Sequence, residues 1–143
     1  ENILKKPSAE KQSTLQRIHT ILSEGKSAVL YLERSSQTNE ISQGEVWETG
    51  RKITAFFCSC VDELSLKPAF VIGKGGITSH ELLKNGLKVA SARVAGQAVP
   101  GVPVIQMNLQ HRFAGMYYAI FPGNVGTDDT LAEVAALFGE SSF

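Results

Sequence analysis

The segment Ala69-Phe70-Val71-Ile72 runs straight into Gly73-Lys74-Gly75-Gly76-Ile77-Thr78-Ser79, and a helical pattern follows at once to about Asn85, where Gly86 closes it. A short apolar strand, a glycine loop and a helix in immediate succession belong to layered α/β folds. The rest of the chain repeats that alternation. Leu15, Ile18 and Leu22 share one face of a helix that starts at Ser8 and stops at Gly25. Ala28-Val29-Leu30-Tyr31-Leu32 reads as a strand covered on both faces. A loop rich in Ser, Gln and Asn spans 34–43, and a long amphipathic helix covers about 45–66, with Val46, Ile53, Phe57, Val61 and Leu64 along one stripe. Pro68 ends it.

Beyond the glycine loop, Leu87 to Val99 reads as extended chain and Pro100-Gly101-Val102-Pro103 as a turn. Val104 to Leu109 and Met116 to Phe121 are further strands around a polar loop at 110–115. Pro122-Gly123-Asn124-Val125-Gly126 is a second glycine loop, and Thr127 or Asp128 caps a last helix from Leu131 to Phe138. The expected class is therefore α/β: a mainly parallel sheet flanked by helices, a single domain with glycine loops at strand ends. Residues 1–7 read as a linker or arm and 8–143 as the domain.

Charge and cysteine usage narrow the function classes. The 143 residues carry 14 Lys and Arg against 14 Asp and Glu, and the balance also holds within 1–71 and within 72–143. A nucleic-acid partner calls for a basic excess that is missing here. No apolar run approaches the roughly 18–20 residues of a membrane span. Cys58 and Cys60 are too few for a disulfide framework and have no neighbouring His or Cys to complete a zinc set, so they read as small core thiols in a reducing compartment. The expected location is cytoplasmic, without a nucleic-acid or membrane partner. The neutral charge is compatible with a homo-oligomer. The chain opens on Glu1-Asn2 without an initiator Met, as a piece of a longer protein would.

Phosphate binds well where backbone N–H groups converge at the positive end of a helix. Gly75 and Gly76 let the backbone turn sharply and approach a ligand with no Cβ in the way. Lys74 is placed to neutralise phosphate charge, and Thr78 and Ser79 offer a helix cap or a hydroxyl for phosphate or a magnesium-bound water. The loop is not a Walker A motif, since Gly75 rather than Ser or Thr follows Lys74, nor the dinucleotide fingerprint. A tight turn with a threonine cap fits this loop equally well taken alone. Gly123, Asn124 and Gly126 repeat the arrangement after another strand, and two such loops favour a nucleotide site at the carboxyl ends of the strands.

Three motifs in order carry a family resemblance: Gly75-Gly76-Ile77-Thr78-Ser79, then Arg93-Val94-Ala95-Gly96-Gln97 with Pro100-Gly101-Val102-Pro103, then Phe121-Pro122-Gly123-Asn124-Val125-Gly126. Over about 12–138 the chain resembles the C-terminal nucleotide-binding domain of the four-carbon acid sugar kinases. Those enzymes use ATP to phosphorylate sugar acids such as threonate and erythronate. The resemblance implies that Gly75, Gly76, Ile77 and Thr78 contact the ATP phosphates, with Gly123, Asn124 and Gly126 as the opposite wall. It also implies ATP and Mg2+ as cofactors. The sugar acid would be bound mainly by an N-terminal domain of the same parent chain, which also supplies a catalytic base, so that this chain is inactive alone. The family usually carries Asp or Glu where Ile77 stands, and Ser-Gly-Asn-Phe-Gly in its second loop; the missing acid removes one contact for magnesium or ribose. Lys74 joins the site on charge alone.

Two other readings stand beside the kinase: a non-catalytic regulatory module that binds a phosphorylated ligand, and an interaction domain whose glycine loops are only turns. Of the remaining polar residues, His111-Arg112 reads as a solvated loop, His80 as a surface helix position and His19 as the edge of an apolar stripe. Asp128-Asp129 suits a first helical turn better than a metal, and Trp47 and Phe56 read as packing residues.

Overall fold

A computed structural model describes residues 6–32 and 43–140. The loop expected at 34–43 lies almost wholly outside the described residues. The chain divides into two compact units, Glu1–Leu66 and Lys67–Phe143.

In the first unit, helix α1 (Pro7–Ser23) opens with Pro at its first position, where the missing N–H costs no hydrogen bond. Helix α2 (Gln43–Asp62) follows and ends a turn earlier than its apolar pattern predicts. An ion pair between Lys11 and Glu63 and hydrogen bonds of His19 Nε2 with the Ser65 N–H and hydroxyl, both 3.2 Å, link the segments. Phe56, Cys58, Cys60 and Leu64 are buried, whereas α1 buries no residue fully. Trp47 departs from expectation: it is 67% exposed near the start of α2, as is Val46 at 57%.

The run Ala28–Leu32 also departs. It forms no strand, and Val29 and Tyr31 stand 77% and 76% exposed. Five consecutive apolar residues predict a two-sided strand only where ladder partners flank them, and among the described residues none pairs with this segment.

The second unit holds a sheet of four strands among the described residues. β1 (Phe70–Lys74), β2 (Ala92–Gln97), β3 (Pro103–Met107) and β4 (Tyr117–Phe121) lie in the order β1-β4-β3-β2. β1 pairs parallel with β4, while β3 pairs antiparallel with both β4 and β2. The sheet is therefore mixed and not mainly parallel. The reason lies in the connections: five residues separate β2 from β3 and nine separate β3 from β4, and a parallel crossover needs about a dozen or more. Helix α3 (Gly76–Glu81) leaves β1 and continues as a π-helical turn, Leu82–Gly86, while α4 (Thr130–Glu140) follows the second glycine loop. Val102, Val104, Ala119, Phe121, Val134 and Phe138 form the core, and the Phe138 ring stacks on Phe70 at 4.9 Å. Burying such apolar surface contributes about 25 cal/mol per Å2.

Candidate functional site

Parallel pairing sets the geometry. Lys74 is in register with Phe121, so β1 and β4 end side by side and the loops after them are neighbours. The Gly75 N–H donates to the Phe121 carbonyl at 2.8 Å, which ties the first loop to the start of the second. β2 and β3 run so that the end of β2 and the start of β3 reach the same edge. The turn between them, closed by Gly101 N–H donating to Gln97 Oε1 at 3.0 Å, packs there: a Cβ built on Gly101 would lie 3.4 Å from both methyls of Val125. The three motifs singled out in the sequence thus converge at one end of the sheet.

β1 extends through Gly73 and Lys74, two residues beyond its predicted end, so the loop proper is Gly75 alone. Gly75 has φ +95°, which a side chain would strain. It caps α3 without a side-chain hydrogen bond, and its carbonyl accepts the Ser79 N–H at 2.8 Å. The N–H groups of Gly76, Ile77 and Thr78 precede that bond, and first-turn amides have no acceptor within their own helix. Gly76 and Ile77 are exposed, Ile77 at 71%, and Thr78 is half-buried. Lys74 is exposed, with its ammonium 4.5 Å from the centre of the Phe121 ring. The edge therefore offers unpaired N–H donors, a helix dipole and one cation, an arrangement suited to a polyanion.

Ser79 is placed differently from its neighbours. Only 1% exposed, it turns inward, and its hydroxyl donates to the Gly73 carbonyl at 2.5 Å. The Tyr118 hydroxyl, fully buried, donates to the Ser79 carbonyl at 3.1 Å. Gly73 leaves room for that ring, since a Cβ there would overlap the tyrosine oxygen. Nothing in the sequence pairs Tyr118 with Ser79, because the contact arises only when β4 settles beside β1.

In the second loop, Gly123 and Asn124 are exposed. Gly126 takes φ +82°, and a Cβ there would come within 2.6 Å of the Thr130 side chain. Thr127 closes the turn, with its N–H donating to Thr130 Oγ1 at 2.8 Å, while Asp128 and Asp129 stay exposed. Among the described residues, no group of three His, Cys, Asp or Glu could hold a metal ion.

His111 and Arg112 lie apart from this edge, between β3 and β4 at the opposite end of the sheet. His111 Nδ1 accepts the Phe113 N–H at 3.0 Å, which leaves Nε2 to donate to the Leu87 carbonyl at 2.7 Å; the ring is a brace. Arg93 reaches across to Gln106 at 2.7 Å, and His80 is exposed on α3. Cys58 and Cys60 are buried and form no disulfide, and burial pushes the Cys60 thiol up to about 11. No helix among the described residues is long and apolar enough to cross a membrane.

Two solved structures match, both crystal forms of a Bordetella bronchiseptica domain of unknown function (DUF1537) with bound citrate, described as a domain-swapped dimer. The first is 20% identical, with a TM-score of 0.58 over 90% of this chain and 31% of that one. The second is 17% identical, with a TM-score of 0.55 over 87% of this chain and 30% of that one. This chain thus spans about a third of the protein it resembles, and the likeness is one of fold. A search of curated proteins finds no match. The family described as a nucleotide-binding C-terminal domain matches residues 1–131, nearly the whole chain, and the chain belongs to that family.

Proposed function

We propose that this chain is the ATP-binding domain of a kinase that phosphorylates four-carbon sugar acids of the threonate or erythronate type. The observation that carries the proposal is the Gly75 N–H to Phe121 carbonyl bond, which sets the two glycine loops side by side at the strand ends. The phosphates would lie on the N–H groups of Gly76, Ile77 and Thr78, with Lys74 as counter-charge and Gly123, Asn124 and Gly126 as the facing wall. Ser79 contributes its place in the turn and not its hydroxyl, which is already bonded to Gly73. The sugar-acid motif resemblance supplies the substrate class.

Phosphoryl transfer depends on positioning and on stabilising charge, and one half of a site supplies only part of each. The sugar acid and the catalytic base belong to an N-terminal domain of the parent chain. Magnesium would arrive with the nucleotide, held by phosphate oxygens and water, because Ile77 offers no carboxylate. The swapped dimer of the Bordetella protein supports self-association here as well.

Thermal melting with MgATP, with MgGTP and inorganic phosphate as controls, tests the reading. Ligand at a hundred times its Kd should add about 2.7 kcal/mol, a shift of several degrees. A shift specific to ATP is expected. The absence of a shift both in this chain and in one extended at its N-terminus by the proposed sugar-acid domain would overturn it.

A further inference from the structure

We propose that Ser79 and Tyr118 are positioning residues that aim the phosphate cradle without touching the ligand; the proposal rests on the nucleotide-binding reading above. Their two hydroxyls join three elements. Ser79 Oγ ties the first turn of α3 to the Gly73 carbonyl of β1, and Tyr118 ties the same turn to β4 through the Ser79 carbonyl. Ser79 also closes the first backbone bond of the helix, its N–H donating to the Gly75 carbonyl. Both side chains are buried, so neither reaches a ligand above the sheet edge. Gly73 completes the set, since any side chain there would displace the tyrosine hydroxyl.

The consequence is preorganisation. Three N–H groups bind one phosphate well only if they converge before it arrives, and convergence depends on the pitch of the helical turn that carries them. α3 has no side-chain cap to fix that pitch. The Ser79 and Tyr118 hydroxyls supply it from beneath. Removing either should let the turn tilt, so that binding falls even though no ligand contact is deleted.

Tyr118→Phe and Ser79→Ala test this in the full chain. Binding of MgATP and of inorganic tripolyphosphate is measured by calorimetry, and exchange protection of the Ser79 amide by NMR in the ligand-free protein. Tyr118→Phe should still unfold cooperatively, lose Ser79 amide protection, and weaken both ligands in parallel by about tenfold, the worth of one hydrogen bond. Ser79→Ala should act in the same direction. A purely structural role would lower the melting temperature and leave both Kd values at the parental level, which overturns the proposal. If Tyr118→Phe fails to fold, Ser79→Ala decides alone by the same readouts. A parent chain that binds neither ligand overturns the nucleotide reading, and this proposal with it, whatever the variants do.

Discussion

The Gly75 N–H and the Phe121 carbonyl meet at 2.8 Å just past the last paired residues of β1 and β4. This bond brings together two loops that lie 47 residues apart between Gly76 and Gly123. The space around each Cβ separates the glycines of that edge into two kinds, those the fold requires and those it does not, which the proposed nucleotide site would require.

Gly76 and Gly123 are of the second kind. A Cβ at either position meets nothing within 4 Å, and neither backbone has a positive φ. Gly76→Ala and Gly123→Ala should therefore leave the urea midpoint unchanged or slightly raised. Each should weaken ATP binding by about tenfold, because on the proposed reading the added methyl would stand where phosphate approaches. Parental affinity in both variants would place the nucleotide elsewhere.

Gly73 and Gly126 are of the first kind. A Cβ on Gly73 would collide with Tyr118, and one on Gly126 would collide with Thr130 in addition to straining a left-handed backbone. Gly73→Ala and Gly126→Ala should each cost about 2 kcal/mol or more. The loss would appear as a lower urea midpoint with an unchanged slope.

The local elements around the two loops are legible in the sequence, the sheet architecture less so. The β1–glycine–α3 unit and the second loop were readable because glycine and helix-start signals are local. Sheet direction does not follow from the alternation of elements: the short β2–β3 and β3–β4 connections require antiparallel pairing. Ala28–Leu32 misled because an apolar run reports what a segment could bury, not whether a neighbour covers it. Loop chemistry alone does not distinguish the inward-turned Ser79 from its exposed neighbours. No local signal marks Tyr118, whose partner is 39 residues away.

Lys74 is the one cation among the proposed site residues, and it is exposed beside the Phe121 ring. Lys74→Ala should raise the Kd for ATP about fivefold at low salt, less than a buried charge would give, since solvent screens it. The melting temperature should hardly move. Affinity of the parent should fall with added salt more steeply than that of the variant. Equal salt dependence in the two proteins would remove Lys74 from the phosphate site.

Cys60 tests the burial of the first unit independently of any ligand. Only 1% of it is exposed, and burial is the main cause that lifts its thiol to about 11 from an ordinary 9.0; Lys11 opposes the shift and Glu63 adds to it. The thiolate is the reactive form, so at pH 8 about one molecule in a thousand is poised to react. Native protein should label slowly with a thiol reagent, whereas the urea-unfolded chain should label at both cysteines. The sign for stability follows from the same shift. A folded-state value above the unfolded one favours the neutral thiol in the native protein, so its contribution is complete below pH 9 and is lost as pH rises through 11. The urea midpoint should accordingly fall between pH 9 and pH 11, and Cys60→Ala should flatten that fall. Rapid native labelling at pH 8, at the rate of the unfolded chain, would show that Cys60 is not held in the interior.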